Sequence, residues 1–193
     1  MQALAPDVEG AGAALVDTPV SGSVSTVESG ELLVMVGGDG GALDRARPVL
    51  DAFARRILHL GPLGTGATMK LAVNSVVHAL NEALAEALVL AEKAGVDRSA
   101  AYEVFVSSAV AAPFVLYKRA AYENPGEAPV AFALDLVAKD LDLVVDLAAH
   151  FDFGRDKRAA FVVLTLGSLG RRCNDVVREL LMLVQPFGQR VAA

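Results

Sequence analysis

A chain of 193 residues can bury one good hydrophobic core or two small ones, since single domains usually run to roughly 100–200 residues. Its net charge of -6 argues against a nucleic-acid partner, and its single cysteine, Cys173, excludes an internal disulfide. With only 3 histidines beside that cysteine, the composition also argues against a zinc-type cluster, and we predict metal-free chemistry.

The sequence shows no basic region followed by an apolar run near its N-terminus. Charges interrupt every apolar stretch well short of the roughly 20 residues that a membrane span needs, so we predict a cytoplasmic protein with no membrane partner. A hydrophobic content of 54% nevertheless requires much buried apolar surface, for which subunit contact is the ordinary explanation. We therefore expect a homodimer or a homotetramer.

Short apolar runs bounded by Gly, Pro and Asp give the first third of the chain an α/β pattern. The residues that follow the Asp39-Gly-Gly turn predict a helix at 42–53. A sheet this small leaves one face uncovered, so we predict that residues 1–62 form a partial α/β segment, the edge of something larger. The predicted strands lie at residues 13–20, 31–36 and 55–60.

From Gly66 onward the pattern is entirely helical. Residues 67–94 are rich in Ala, Leu and Glu, contain neither Gly nor Pro, and stop at Gly95, which suits a left-handed helix end. The sequence is therefore predicted to be mainly α, with an all-α domain over residues 63–193. Further helices are predicted at residues 97–108, 113–123, 133–150 and 157–184, with a break in the last one near 167–174.

Two glycine-rich turns resemble nucleotide-binding loops in sequence, but neither has the complete motif. Residues 61–66 lie between a strand and a helix, but Met69 stands where the dinucleotide motif needs its third glycine, and Ala67 stands where a phosphate loop carries lysine. Residues 37–41 also lack the third glycine and place Asp39 where phosphate would approach. We interpret both as turns that lead into helices, the first with a helix N-terminus able to hold an anion.

Lys70 and Asn74 form a polar stripe on the long predicted helix. At about 100° per residue they share one face, to which Asn81 returns. In a buried setting these groups need partners or a ligand, because an unpaired buried ammonium or amide costs roughly several kcal/mol. A solvated helix face gives the same pattern, and the spacing alone favours it. The stripe therefore leaves both interpretations open.

Three segments of the chain carry a recognisable pattern, namely residues 17–32 (DTPVSGSVSTVESGEL), 64–74 (GTGATMKLAVN) and 138–143 (AKDLDL). In the same order they resemble the motifs of the β-hydroxyacid dehydrogenases, of the 3-hydroxyisobutyrate dehydrogenase and glyoxylate/succinic semialdehyde reductase type. The resemblance implies an all-α C-terminal domain like that of 6-phosphogluconate dehydrogenase around the long helix, preceded by a Rossmann-edge segment. That family begins with a Rossmann unit carrying Gly-x-Gly-x-x-Gly, most of which this chain is expected to lack.

The resemblance also implies roles for individual residues. Ser21 and Gly22, together with Ser23, would hold the substrate carboxylate. Lys70 would exchange a proton with the substrate hydroxyl or carbonyl, and Asn74 would orient the substrate. The chemistry of these residues agrees, since a Ser-Gly turn offers a hydroxyl and backbone N–H groups, and a lysine near a nicotinamide and a second lysine can have a lowered pKa.

By the same resemblance, Lys139 would lie beside the cofactor, NAD or NADP, which carries the hydride that no side chain can supply. The implied function is an NAD(P)-dependent oxidoreductase of short β-hydroxy acids or semialdehydes. Val77 stands where the 6-phosphogluconate dehydrogenases carry an acidic residue, which disfavours phosphogluconate decarboxylation. The alternative is a non-catalytic helical module, derived from the family, that dimerises or binds small acids. The sequence chooses neither the substrate nor between NAD and NADP.

Overall fold

The computed structural model describes residues 2–127 and 132–151. Their contacts divide the chain within its longest helix, α4 (Thr65–Lys93), into a unit that ends at Asn74 and a second unit that begins at Ser75. The domain boundary predicted after residue 62 stays a prediction, since α4 contributes residues to both units. Within the described ranges, no helix combines the length and the apolar character that crossing a membrane requires.

The first unit is built on a small mixed sheet. The β1 and β2 strands both pair with β3 in antiparallel fashion and keep one register along it, with Asp17 opposite Gly37 and Ser21 opposite Leu33. The single strand predicted at 13–20 is therefore divided in two at Thr18-Pro19, because proline has no N–H to donate to a sheet. The β4 strand pairs with the other edge of β3 in parallel. The strands are β1 (Val16–Asp17), β2 (Val20–Ser21), β3 (Leu32–Gly38) and β4 (Ala54–Gly61).

Three helices precede α4 in this unit, after a 3₁₀ turn at Gln2–Leu4. They are α1 (Ala5–Gly10), α2 (Val24–Glu28) and α3 (Gly40–Leu50). The sequence predicted α3 but neither α1 nor α2, because segments of 6 and 5 residues are too short to show a helical apolar period. The Asp39 side chain caps α3 by accepting a hydrogen bond from Ala42 N at 2.9 Å.

The core of the first unit lies between α3 and the sheet. The parallel β3–α3–β4 connection covers one face of β3 with α3, so that apolar residues of the strand and the helix meet. Full burial of such a side chain contributes roughly 1.5–3 kcal/mol. The buried members are Val34, Val36, Leu43 and Leu50.

The second unit is helical throughout its described part. The predicted helices at 97–108 and 133–150 are confirmed, whereas the one predicted at 113–123 is divided in two at Lys118. The helix predicted at 157–184 and Cys173 lie outside the described residues. After α4, the helices are α5 (Arg98–Ser107), α6 (Pro113–Tyr117), α7 (Arg119–Glu123) and α8 (Leu134–His150).

Helix ends and a buried tyrosine organise this second unit. Gly95 follows α4 with a φ of +90°, as the predicted left-handed end requires, and Asp97 caps α5 through Ala100 N at 3.0 Å. The hydroxyl of Tyr102, which is 0% exposed, donates to Val115 O at 2.7 Å. The core cluster consists of Leu84, Leu88, Ala101, Tyr102 and Val115. Across the described residues, the predominance of helix over a small sheet confirms the mainly α fold class.

Candidate active site

The start of α4 is held by a buried carboxylate from β1. Asp17 is 0% exposed. Its Oδ1 accepts a hydrogen bond from Gly64 N at 2.6 Å, and its Oδ2 accepts one from Ala67 N at 2.6 Å. The first N–H group lies just before α4 and the second in its first turn, where the backbone has no partner within the helix and the helix dipole favours a negative charge. Asp17 therefore joins the edge strand to the helix that carries Lys70.

Glycines make room for this carboxylate. A Cβ on Gly66 would lie 2.7 Å from Asp17 Oδ2 and 2.6 Å from Met35 O, closer than real Cβ atoms come. A Cβ on Gly37, which faces Asp17 in the sheet, would collide with Asp17 Oδ1. Gly64 has a φ of +98°, in the left-handed region that favours glycine. The glycines around this helix start therefore serve its close approach to the sheet.

The two glycine-rich turns hold carboxylates of the protein where a nucleotide-binding loop would hold phosphate. Asp17 fills this position at α4, and Asp39 fills it at α3. The anion that the sequence allowed at the first turn is thus a side chain of the protein itself. A pyrophosphate would add negative charge next to an existing carboxylate, so neither turn fits it. We assign no residue in the described part of the chain to a cofactor pyrophosphate.

Ser21, Gly22 and Ser23 lie where β2 leads into α2. The Ser21 side chain is half-buried, and its hydroxyl has no hydrogen-bond partner among the described residues. Gly22 has a φ of +150°, and a Cβ there would lie 2.5 Å from Leu32 Cδ2, so only glycine fits. The N–H of Ser23 donates to Thr26 Oγ1 at 3.0 Å, which caps α2. The Ser21 hydroxyl is therefore the side-chain group of this turn best suited to a ligand.

Lys70 and Asn74 occupy successive turns of α4. Both are half-buried, and both have interaction partners within the structure. Asn81, the third member of the predicted stripe, is exposed, and its Oδ1 accepts a hydrogen bond from the Tyr122 hydroxyl at 2.7 Å. A solvated helix face thus does not describe Lys70 and Asn74, whereas Asn81 serves the packing of the second unit.

Lys139 lies on α8 in the second unit, beside a buried carboxylate. Its Nζ is 2.8 Å from Asp140 Oδ1, and its side chain is 58% exposed against 7% for Asp140. Asp140 Oδ2 lies 3.6 Å from Nε2 of His78 on α4. Because an ammonium has three donors and this one is exposed, Lys139 fits a polar group of a cofactor. The Asp140 carboxylate thus contacts both Lys139 and His78 within the second unit.

Two family models match the chain in succession. The model for the NAD binding domain of 6-phosphogluconate dehydrogenase matches residues 1–61. The model for NAD-binding of NADP-dependent 3-hydroxyisobutyrate dehydrogenase matches residues 64–160, about half of the chain. The chain belongs to the β-hydroxyacid dehydrogenase family. Both models describe NAD-binding domains, which confirms the predicted cofactor class, NAD or NADP.

Curated β-hydroxyacid dehydrogenases match the chain over most of its length. Glyoxylate/succinic semialdehyde reductase 2 of Arabidopsis thaliana is 32% identical over 145 residues, which are 75% of this chain and 40% of the relative. A probable 3-hydroxyisobutyrate dehydrogenase of Mycobacterium tuberculosis is 36% identical over 142 residues, 69% of this chain and 47% of the relative. The chain thus spans somewhat less than half the length of these two relatives.

Solved structures of the family show the same fold. The 3-hydroxyisobutyrate dehydrogenase of Salmonella typhimurium matches with a TM-score of 0.74 and 28% identity, over 86% of this chain and 58% of its own. The Mycobacterium tuberculosis enzyme, solved with L-serine, matches with a TM-score of 0.68 and 28% identity, over 88% of this chain and 60% of its own. These matches agree with the mainly α architecture predicted from the family motifs.

Asp17 is a residue of the candidate site to which the sequence assigned no role. It opens the first family motif, but its partners stand 47 and 50 positions further along the chain. The available signal was an aspartate inside an apolar strand pattern, since a buried carboxylate needs hydrogen-bond donors or a cation. That signal predicts a partner without saying which one.

Proposed function

We propose that the chain carries the substrate-binding and proton-transfer residues of an NAD(P)-dependent oxidoreductase that acts on short β-hydroxy acids or semialdehydes. The observation that carries the proposal is the half-buried pair Lys70 and Asn74, on a helix whose start is bound by Asp17 of β1, four residues before Ser21. Family membership supplies the reaction class, and the site residues come from the chain itself.

The substrate class follows from what the relatives' names share. Glyoxylate, succinic semialdehyde, 3-hydroxyisobutyrate and L-threonate all combine a carboxylate with a nearby hydroxyl or carbonyl. The L-serine held by the Mycobacterium tuberculosis enzyme has the same two groups. In our proposal the turn of Ser21, Gly22 and Ser23 holds the carboxylate, with the Ser21 hydroxyl as its main side-chain donor.

Lys70 exchanges the proton at the substrate oxygen. In oxidation its amine accepts the hydroxyl proton, and in reduction its ammonium returns a proton to the new alkoxide. Asn74, one turn further along α4, holds the substrate by its amide so that the oxygen faces Lys70. The hydride, which no side chain can carry, would be exchanged with NAD or NADP when that cofactor is bound. In the second unit, the exposed ammonium of Lys139, held by Asp140, is the proposed cofactor-binding group.

The test compares two lysines of the same helix. The chain, together with any coding sequence that lies in frame upstream of it, is assayed with glyoxylate and with succinic, tartronate and methylmalonate semialdehydes, each with NADH and NADPH. We expect turnover of at least one of them and a loss of roughly 10²- to 10⁴-fold in kcat for Lys70→Ala, the usual contribution of proton transfer. Lys93→Ala, an exposed site in the last turn of α4, is the matched control.

A Lys70→Ala variant as active as Lys93→Ala would contradict the proposal. The alternative is a non-catalytic module that binds small acids, and it is favoured by one observation, that both glycine-rich turns are filled by aspartates. It predicts that calorimetric titration detects a small carboxylate but neither NADH nor NADPH. Binding of either cofactor to the same protein would rule this alternative out.

We further propose that the chain assembles as a homodimer or a homotetramer. Val76 and Leu90 of α4 are 67% and 71% exposed. Their side chains lie within about 40° of one another around the helix axis. An exposed apolar stripe of this kind is stabilised when a second copy of the chain covers it. Light scattering should give two or four times the mass of the chain, and Leu90→Arg should reduce it. A parent protein that is monomeric at high concentration would contradict this.

A further inference from the structure

Asp17 stands between the two segments that hold the proposed substrate-binding and proton-transfer residues. Ser21 follows Asp17 along the same edge of β3. Asp17 also binds the N–H of Ala67, and Lys70 follows Ala67 by about one helical turn. We propose that Asp17 is a positioning residue, which sets the first turns of α4, and with them Lys70, against β1, four residues before Ser21. The proposal rests on the proposed function, in which Lys70 transfers the proton.

The two hydrogen bonds require a carboxylate. Gly64 N–H and Ala67 N–H donate to different oxygens of Asp17, each at 2.6 Å. An asparagine has the same shape, but its amide presents one oxygen and one NH2 group, so that one backbone donor would face another donor. In a site that is 0% exposed, no water can readily take the place of the lost acceptor.

The two hydrogen bonds to Asp17 determine where α4 begins as well as how stable the helix is. Gly64 lies just before α4, and Ala67 lies within its first turn, so together they fix both the position of the helix start and its rotation about the axis. Gly37 and Gly66 leave no spare volume around the carboxylate, which prevents it from shifting. A displacement of about 1 Å in a catalytic group can lower a rate by roughly 10²-fold. Loss of Asp17 is therefore expected to act on the chemistry.

The experiment compares Asp17→Asn with a variant that weakens the same unit elsewhere. Leu43→Ala creates a cavity in the core between α3 and the sheet and leaves the start of α4 intact. Gly37→Ala is a second variant, which keeps the carboxylate but displaces it. All are assayed well below their unfolding temperatures, with kcat and the KM of the acid and of the cofactor measured separately.

We expect Asp17→Asn and Gly37→Ala to lower kcat by roughly 10- to 100-fold with the KM of the cofactor unchanged, and Leu43→Ala to keep kcat within about twofold. Equal kcat values for Asp17→Asn and Leu43→Ala would overturn the proposal. In the parent protein, the amide hydrogens of Gly64 and Ala67 should exchange as slowly as that of Val34 in the central strand. Fast exchange of both would also overturn it, whether or not the variants fold.

The proposal and the proposed function fail in different ways. A parent protein without turnover of any acid tested contradicts the proposed function. The positioning role is then judged by the NMR resonance of Lys70 Cε, which Asp17→Asn should move and Leu43→Ala should not. Turnover in the parent, with Asp17→Asn as active as the parent, contradicts the positioning role alone.

Discussion

The carboxylate of Asp140 lies between two basic side chains, 2.8 Å from Lys139 Nζ and 3.6 Å from His78 Nε2. Asp140 itself is 5% exposed, whereas the Lys139 side chain is 58% exposed. Because the Lys139 end of the ion pair is exposed to solvent, the pair contributes only about 0–1 kcal/mol to stability. The contact therefore matters more for where it holds the lysine than for the stability of the fold.

Asp140→Asn is expected to weaken both stability and cofactor binding. The substitution keeps the shape of the buried group but removes the charge beside the exposed Lys139, which should cost no more than about 1 kcal/mol in urea unfolding. The affinity for NADH or NADPH should fall by about fivefold, equivalent to about 1 kcal/mol. Asp142→Asn, an exposed neighbour on α8, is the control and should change stability by less than about 0.5 kcal/mol. Equal cofactor affinities for the two variants would show that Asp140 does not position Lys139.

The raised pKa of Tyr122 predicts how the free energy of unfolding depends on pH in the alkaline range. Burial raises the pKa of Tyr122 above its ordinary value of 10.0, and Tyr102 and Glu82 raise it further. The folded state therefore keeps a proton that the unfolded chain loses, so its stabilising effect is complete below about pH 10 and is lost as the pH rises above that value. Tyr122→Phe should reduce the slope of unfolding free energy against pH by up to about 1.4 kcal/mol per unit.

The control for this experiment separates ionisation from hydrogen bonding. Asn81→Ala removes the side-chain acceptor of the Tyr122 hydroxyl, so it should lower stability by about 1 kcal/mol at every pH and keep the alkaline slope. If plots of unfolding free energy against pH ran parallel for the parent and Tyr122→Phe above pH 10, ionisation of Tyr122 would not be the cause of the pH dependence.

Local patterns were sufficient for most of the longer elements. The strand at 31–36, the long helix and its left-handed end at Gly95 depend on residues close together in sequence, and the structure confirms them. The short helices α1 and α2 were missed because tertiary contacts and local caps, such as Ser23 with Thr26, stabilise segments too short to have an apolar period.

The contacts of the candidate site were beyond sequence reasoning. Asp17 meets its donors 47 and 50 positions away, and nothing in the pattern of either segment specifies which N–H groups these are. The helical pattern of residues 67–94 nevertheless predicted that Lys70 and Asn74 share a helix, and the glycines of residues 61–66 predicted the turn that precedes it. What they did not supply is the reason for the glycines, which is the space required by a buried carboxylate.

Gly66→Ala tests that reason directly. The added Cβ would lie 2.6 Å from Met35 O and 2.7 Å from Asp17 Oδ2, so α4 must move away from the sheet. Overpacking of this kind costs about 1–3 kcal/mol, which urea unfolding followed by circular dichroism can measure. Gly10→Ala is the control, since a Cβ there meets no atom within 4 Å, and it should be neutral or stabilise by up to about 1 kcal/mol. Equal urea midpoints for Gly66→Ala and Gly10→Ala would contradict the conclusion that Gly66 makes room for the Asp17 carboxylate.

Gly22→Ala tests the proposed carboxylate site. Its Cβ would lie 2.5 Å from Leu32 Cδ2 and 3.0 Å from Thr26 Cβ, and the φ of +150° strains any other residue. Because the turn must move, the KM of the acid substrate should rise by about tenfold while the KM of the cofactor stays constant. Gly30→Ala carries the same kind of backbone strain, with a φ of +68°, but its Cβ meets nothing within 4 Å. If Gly30→Ala raised the KM of the acid as much as Gly22→Ala, general loosening around α2, and not the turn at Ser21, would be the cause.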